Sequence, residues 1–364
     1  MLSQLSIQKT ARSRLPEVDF ANLGFGGVYA DHMFLLDYAD GAWGAPRIVP
    51  YGPLSLPPGV AGLHYGQSVF EGLKAFRGVD GRIRLFRPEA NARRLTRSCE
   101  RLCIPPLPES LFVEAIERLV ALDQDWIPEG RGASLYIRPL ILATEEHLDV
   151  RPSRRFLFVV MTAPARAYFR ASERGVSLLV QEEYTRAAPG GTGFAKTGGN
   201  YAASLLPGQV SQQAGYDQVL WLDGREHRYV EEVGQMNIFF CFKDRIVTPP
   251  LRGTILPGVT RDSILTLLRE QDRPVFEEPL AIDDVLAALA GGDLLEVFGA
   301  GTAAVVVPVG RIGYRGHDVE VPVGGEHSLT RALYRQLTAI QYGEAADTRG
   351  WSRVLEPASA PTAA

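Results

Sequence analysis

Lysine is scarce in this chain. Of its 38 basic residues only Lys9, Lys74, Lys196 and Lys243 are lysines. Arginine stays protonated in proteins, so it can neither condense with an aldehyde nor act as a base near neutral pH. Amine chemistry therefore has four candidates. Lys9 falls in an N-terminal stretch that reads as a mobile tail, and Lys243 sits in FKDR, a turn between two apolar runs. Lys74 and Lys196 remain.

Other absences narrow the class. Three cysteines, Cys99, Cys103 and Cys241, are too few for a disulfide framework and point to a reduced, cytoplasmic setting. Cys99 and Cys103 are spaced for one helix face, where a buried apolar role is expected. The six histidines are scattered, with no Cys or Asp at ligand spacing, so no metal site is expected. No apolar run approaches the ~18 residues of a membrane helix. The N-terminus has no apolar core of a secretory signal. A formal net charge of −4 gives no electrostatic reason to expect nucleic acid.

What is present reads as two α+β domains in 364 residues. The first, 1–165, runs through strands and hairpins to two helices, one opened by Pro88 and one over ESLFVEAIERLVALDQDWI, and ends on the apolar strands ASLYIRPLILAT and RFLFVVMTAPA. A polar connection over 166–175 leads to a second domain, 176–364. That domain opens on GVSLLVQEEY, continues through a helix from Tyr201 to Gln213, and closes with a helix and a disordered tail, PASAPTAA.

The stretch GGTGFAKTGGN, residues 190–200, sets Lys196 among glycines. It nearly meets the phosphate-loop pattern, with Ala195 in place of the second glycine. A phosphate loop needs a helix that begins at its Lys-Thr, and Gly198-Gly199-Asn200 is expected to stop one. An unhindered lysine in a small-residue loop instead suits a Schiff base with pyridoxal 5'-phosphate. That cofactor needs an arginine and a helix N-terminus for its phosphate, a carboxylate for its ring nitrogen, and a hydroxyl for its phenolate. GVTRDSILTLL supplies a helix start at Val259 and Thr260, and GAGTAA supplies a narrow loop with Thr302. Tyr201 follows Lys196 by five residues, and VEEVGQMN offers Glu231 and Glu232. On a strand these two acids point to opposite faces, so one is expected buried and the other solvated.

GTGFAKTGGNY, EEVGQMNIFF, TILPGVTRDS and EVFGAGTAAVVVPV resemble, in order, the motifs of branched-chain amino acid aminotransferases, pyridoxal-phosphate enzymes of fold type IV. LHYGQSVFEGLKAFRG, RLFRPEANARRL and LYIRPLILATEEHLDV extend the resemblance upstream, and it is nearest to the longer branch that includes the eukaryotic enzymes. The resemblance implies a smaller N-terminal α/β domain, a larger C-terminal pseudo-barrel domain, and a homodimer. It implies that Lys196 is the Schiff-base lysine, Tyr201 the phenolate donor and Glu232 the partner of the ring nitrogen. Arg94, Val259, Thr260 and Thr302 are implied as phosphate contacts. Phe70, Tyr136 and Tyr168 resemble the walls of the side-chain pocket, and Ala303 and Ala304 the backbone donors to the substrate carboxylate. Tyr65 and Val150 match positions contributed by the neighbouring subunit.

The implied reaction is amino transfer between leucine, isoleucine or valine and 2-oxoglutarate. The alternatives are another fold type IV activity (a D-amino acid aminotransferase or aminodeoxychorismate lyase) or a cofactor-binding protein without turnover. Three positions depart from the family or some of its members: Gln235 replaces a threonine, and Ala304 and Val307 stand where some eukaryotic members carry a redox-sensitive cysteine pair. One pocket must take both an apolar side chain and the charged side chain of glutamate. Tyr136 and Arg138, two apart on a predicted strand, share a face and offer an apolar wall with a cation at its rim.

Overall fold

The structure is a computed structural model that describes residues 4–166 and 174–356. Tyr168, most of the 166–175 connection and the tail from Pro357 onward lie outside the described residues. The chain divides into two units, Met1–Tyr168 with Ala339–Ala364, and Phe169–Thr338.

The first unit is organised by the antiparallel pair Ser134–Ala143 and Phe156–Ala165, in register from Ser134 opposite Ala165 to Ala143 opposite Phe156. LYIRPLILA alternates buried and half-buried positions, as a strand with two unequal faces must. His32–Ala39 and Arg47–Pro50 extend the sheet on one side, Leu73–Arg77 and Ile83–Phe86 on the other. Helices Pro88–Arg101 and Glu109–Leu122 pack against it around Phe34, Phe112, Leu119 and Phe158, all fully buried.

Helix Pro88–Arg101 corrects the expectation for Cys103. The helix ends before it, and Cys103 takes φ 54° while its N–H donates to Glu100 O and that of Ile104 to Cys99 O. This is a Schellman closure with a cysteine in the usual glycine position. Cys99 and Ile104 are buried together in the core, whereas Cys103 faces solvent.

The second correction concerns the carboxyl-terminal segment, which the sequence assigns to the second domain. Strand Ser352–Val354 pairs antiparallel with Ile83–Phe86, so the chain returns to the first unit and the first unit is not the smaller one. Trp351 fixes the return: its ring lies edge-on to Phe86 at 5.9 Å and beneath the Arg87 guanidinium at 4.9 Å.

The second unit holds a nine-stranded sheet. From Val230–Val233 its path runs through Gln218–Leu222, Val176–Gln181, Val305–Tyr314 and Leu294–Gly301 to Asn237–Phe242. The two ends of that path are joined by the turn Gly234-Gln235, across a bridge between Val233 and Met236. Six strands therefore curl back on themselves around Leu178, Leu220, Ile238, Phe240 and Val309. Gly234 has φ 54°, and a Cβ there would fall 2.1 Å from Gln218 Oε1, so glycine suits the closing turn and any other residue would be strained and displace the glutamine. Helix Ile282–Ala290, which the sequence reading passes over, packs on this core through Ile282 and Val285.

Trp351→Ala is expected to lower the stability of the full chain by about 3 kcal/mol, because it removes a large buried ring. Urea unfolding checks this, and an unchanged midpoint would show that the terminal strand is ornamental.

Candidate active site

Lys196 lies half-buried in a loop that its neighbours hold tightly. Asn200 Nδ2 donates to Thr192 O (2.8 Å) and Ala195 O (2.9 Å), while Thr192 Oγ1 donates to Asn200 Oδ1 (2.6 Å). Gly193 lets the loop pass the Thr254 carbonyl, which would stand 2.2 Å from a Cβ. Lys196 Nζ is 2.8 Å from Tyr201 Oη.

A helix does begin directly after Lys196-Thr197, contrary to the sequence expectation. Thr197 is extended (φ −123°, ψ 148°) and Gly198–Ala202 forms one short turn. The Asn200 side-chain bonds offset the conformational cost of two glycines. The turn has five residues and stops at Ala203-Ser204, and Leu205–Gln213 is a separate helix, so the expected Tyr201–Gln213 helix is broken.

Glu232 lies 3% exposed on strand Val230–Val233. Arg186 Nε stands 2.8 Å from its Oε2. Its Oε1 accepts from Leu256 N (2.9 Å) and Asn237 Nδ2 (3.3 Å). Burial raises its proton affinity, against the pull of Arg186 and the Leu256 N–H. Glu231 is not solvated as expected. It is 7% exposed, because the segment carrying Thr254 covers the strand face it points to, and the Thr254 hydroxyl donates to its Oε1. Tyr201, Ser204, Glu232, Gln235 and Leu256 line one cavity.

Two backbone features of the same unit complete the set. Helix Val259–Glu270 starts behind Gly258 without a side-chain cap, leaving Val259 and Thr260 in its first turn. Gly258 is obligatory there, since a Cβ would meet Asn237 Oδ1 at 2.1 Å, and Asn237 Nδ2 also donates to Leu256 O (3.0 Å). Thr302, Ala303 and Ala304 form the half-buried turn between Leu294–Gly301 and Val305–Tyr314. Val305 closes it at φ 63°, a conformation that a β-branched residue adopts at a cost of ~1–3 kcal/mol.

In the first unit, Arg94 and Glu71 form a buried two-pronged pair, Nε to Oε1 at 2.8 Å and Nη2 to Oε2 at 2.7 Å. Asn91 Nδ2 adds a third donor to Glu71 at 2.8 Å. Arg138 lies over the Phe70 ring at 4.6 Å and donates from Nη2 to Tyr136 Oη at 3.1 Å. Its buried Nε has no hydrogen-bond partner. Phe25 stands edge-on to Tyr136 at 4.8 Å. Tyr65 and Val150 are exposed, and the Tyr65 hydroxyl donates to Leu148 O. Lys74 is buried across from Tyr136, and burial lowers its pKa to about 8.

Sequence reasoning missed Arg186, Thr254, Asn237 and Glu71. Arg186 sits in YTRAAP, between the strand GVSLLVQEEY and the glycine stretch, and nothing in its spacing sets it apart from 33 other arginines. Asn237 was within reach, since it lies inside the quoted VEEVGQMN.

The chain matches the amino-transferase class IV family over residues 68–312. It is 51% identical over 336 residues to branched-chain-amino-acid transaminase 1 of Bacillus subtilis (strain 168), covering 92% of this chain and 94% of the relative. It is 47% identical over 347 residues to the branched-chain-amino-acid aminotransferase of Mycolicibacterium smegmatis, covering 94% of each. Among solved structures it is similar to the branched-chain amino acid aminotransferase of Escherichia coli, with TM-score 0.75 and 27% identity over 90% of this chain and 99% of that one. A T.th. branched-chain amino acid aminotransferase complexed with N-(5'-phosphopyridoxyl)-L-glutamate gives TM-score 0.71 and 28% identity over 88% and 98%.

Glu71→Ala leaves the Arg94 guanidinium buried without its carboxylate, so it is expected to cost about 3–5 kcal/mol. Denaturant unfolding of the cofactor-free chain measures this. A loss below about 1 kcal/mol, the worth of an exposed pair, would mean that Arg94 finds water instead.

Proposed function

We propose residue roles for this chain, which belongs to the amino-transferase class IV family and within it to the branched-chain aminotransferases. It is a pyridoxal-phosphate-dependent transferase, and the amino group passes between leucine, isoleucine or valine and 2-oxoglutarate. The observation that carries the assignment is the 2.8 Å approach of Lys196 Nζ to Tyr201 Oη, with Tyr201 and the buried Glu232 lining one cavity.

The residues fit the cofactor. Glu232 is an acid whose proton affinity burial has raised, as a basic ring nitrogen requires. The uncapped start of the 12-residue helix at Val259 and Thr260 suits a phosphate. When bound, pyridoxal phosphate supplies an aldehyde that condenses with amines and a protonated ring that accepts the electron pair freed at the substrate Cα.

The chain's own groups do the rest. Glu232 holds the proton on the ring nitrogen, and Arg186 keeps Glu232 in place. Tyr201 donates to the phenolate and holds Lys196 Nζ within reach. Lys196 Nζ would serve as the base that takes the proton from the substrate Cα and as the acid that gives it back, a transfer that contributes typically ~10²–10⁴-fold. Val259, Thr260, Thr302 and Arg94 bind the phosphate, and the N–H groups of Ala303 and Ala304 receive the substrate carboxylate. The strain at Val305 supports that last role, because it holds the turn in one conformation.

Phe70 and Tyr136 provide apolar wall for the branched side chains. Among the described residues no carboxylate forms an ion pair with Arg138. We therefore assign its guanidinium to the distal carboxylate of glutamate and 2-oxoglutarate. The chain acts in the cytoplasm as a homodimer, and the exposed apolar side chains of Leu63, Tyr65, Leu148 and Val150 support the dimer. Among the described residues no helix is long and apolar enough to cross a membrane, and no group of side chains could hold a metal.

Lys74 is the discriminating control for Lys196, since its lowered pKa of about 8 leaves part of it as a free amine near neutrality. Borohydride reduction of the loaded protein and peptide mapping are expected to find the pyridoxyl group on Lys196. A label on Lys74 would refute the assignment. Arg138→Met is expected to reduce kcat/KM for glutamate by roughly 10- to 150-fold, the worth of one charged hydrogen bond, and to leave leucine nearly unaffected. Equal losses for both substrates would make Arg138 a structural residue.

A further inference from the structure

Glu231 is left over once Glu232 has its role. It is buried, its Oε1 has one donor in the Thr254 hydroxyl, and its Oε2 is buried with no hydrogen-bond partner. The charged groups that act on it are Arg186, Glu232 and Asp223. Asp223 is committed elsewhere, accepting the backbone N–H groups of Arg225, Glu226, Arg228 and Tyr229. Arg186 is thus the cation that acts on both consecutive buried carboxyls, while Lys196 and Arg261 act on Glu232 as well.

Hydrogen bonding and burial decide where the proton sits. An ionised Glu231 would bury a charge met by one hydroxyl donor and, among the described residues, no ion pair, and protonation removes that charge. Glu232 has three partners in Arg186, Leu256 and Asn237. Glu231 has one donor and an oxygen with none, so it keeps the proton. The Arg186 Nη2 group donates to Thr254 O at 3.0 Å, so the residue that bonds Glu231 is also tied to the shared cation.

We propose that Glu231 is a positioning residue for the ring-nitrogen site: by holding or releasing its proton beside Arg186, it sets how much of that cation's charge falls on Glu232. The proposal rests on the assignment of Glu232 made above. With Glu231 neutral, Arg186 serves Glu232 alone and weakens it as a base. With Glu231 ionised, the counter-charge is divided, and Glu232 holds a proton on a ring nitrogen more firmly. Burial pushes the Glu231 carboxyl up to about 7, with Glu232 and Asp223 adding to it and Thr254 and Arg186 opposing, so the change falls near neutral pH.

A carboxyl whose folded pKa lies above its ordinary 4.5 favours the folded chain fully below that value, and the benefit is lost as pH rises through about 7. Thermal unfolding of the full chain, wild type against Glu231→Gln, reads this without cofactor. The melting temperature of Glu231→Gln is expected to gain on the wild type by on the order of 3 °C per pH unit between pH 4.5 and 7, then level off. Thr254→Val removes a bond that favours the ionised form, so it should carry the window to higher pH. In chains loaded with pyridoxal phosphate, Glu231→Gln is expected to shift the pH midpoint of the visible absorption. A stability offset independent of pH, or an unmoved midpoint in a chain that still binds the cofactor, would overturn the proposal. Failure of every chain to form a visible band would instead refute the cofactor reading, and the cofactor-free profile would still decide whether Glu231 titrates there.

Discussion

A carboxylate that cannot reach water must find its counter-charge inside the protein, and Glu232 finds it in Arg186, 2.8 Å away. Leaving either partner alone in that setting costs ~3–5 kcal/mol, so the local structure is arranged to keep both. Arg186 is pinned by the carbonyls of Gly193 and Thr254, and Glu232 by the Leu256 N–H and Asn237. Those contacts reach further than the pair. Gly193 belongs to the loop that presents Lys196, and Asn237 abuts Gly258, where helix Val259–Glu270 begins. The lysine loop, the acid and the helix start are thus positioned by one set of bonds.

The first unit uses the same device on a smaller scale. Glu71 and Arg94 are both fully or nearly fully buried, and Asn91 Nδ2 and the Gly72 N–H both donate to Glu71 Oε2 beside the guanidinium. The guanidinium is thereby fixed in orientation before any anion arrives, and an anion need not supply the ordering. Arg138 differs. It rests over Phe70 with a buried Nε unmatched, a cation held by aromatic rings and one hydroxyl. A cation so placed retains capacity for a carboxylate, whereas one already paired with an acid would not.

Much of this was legible in the sequence because the responsible signals are local. Pro88 starts a helix, Asp80-Gly81 turns a hairpin, and period-two alternation marks Ser134–Ala143. Lys196, Tyr201, Glu232 and the Val259-Thr260 helix start lie in contiguous motifs. What escaped was set by distant chain. Arg186 lies ten residues before Lys196 in a loop of small residues, and only the fold shows that it meets Glu232. The burial of Glu231 depends on where Thr254 falls, and the return of Ser352–Val354 on an open edge at Ile83–Phe86. Cys103 was misread because a helix spacing was continued past its C-cap. Gly198 opened a helix because Asn200 outweighed its backbone cost.

The central claim is that one buried, arginine-held glutamate keeps the cofactor's ring able to accept electrons. The direct measurement is single-turnover kinetics of Glu232→Gln loaded with pyridoxal phosphate, with leucine as donor. A glutamine keeps the shape and the Leu256 bond but cannot hold the proton. The account predicts retained cofactor and a rate lower by on the order of 10²-fold or more. A loaded Glu232→Gln chain that turns over leucine at the wild-type rate would contradict it.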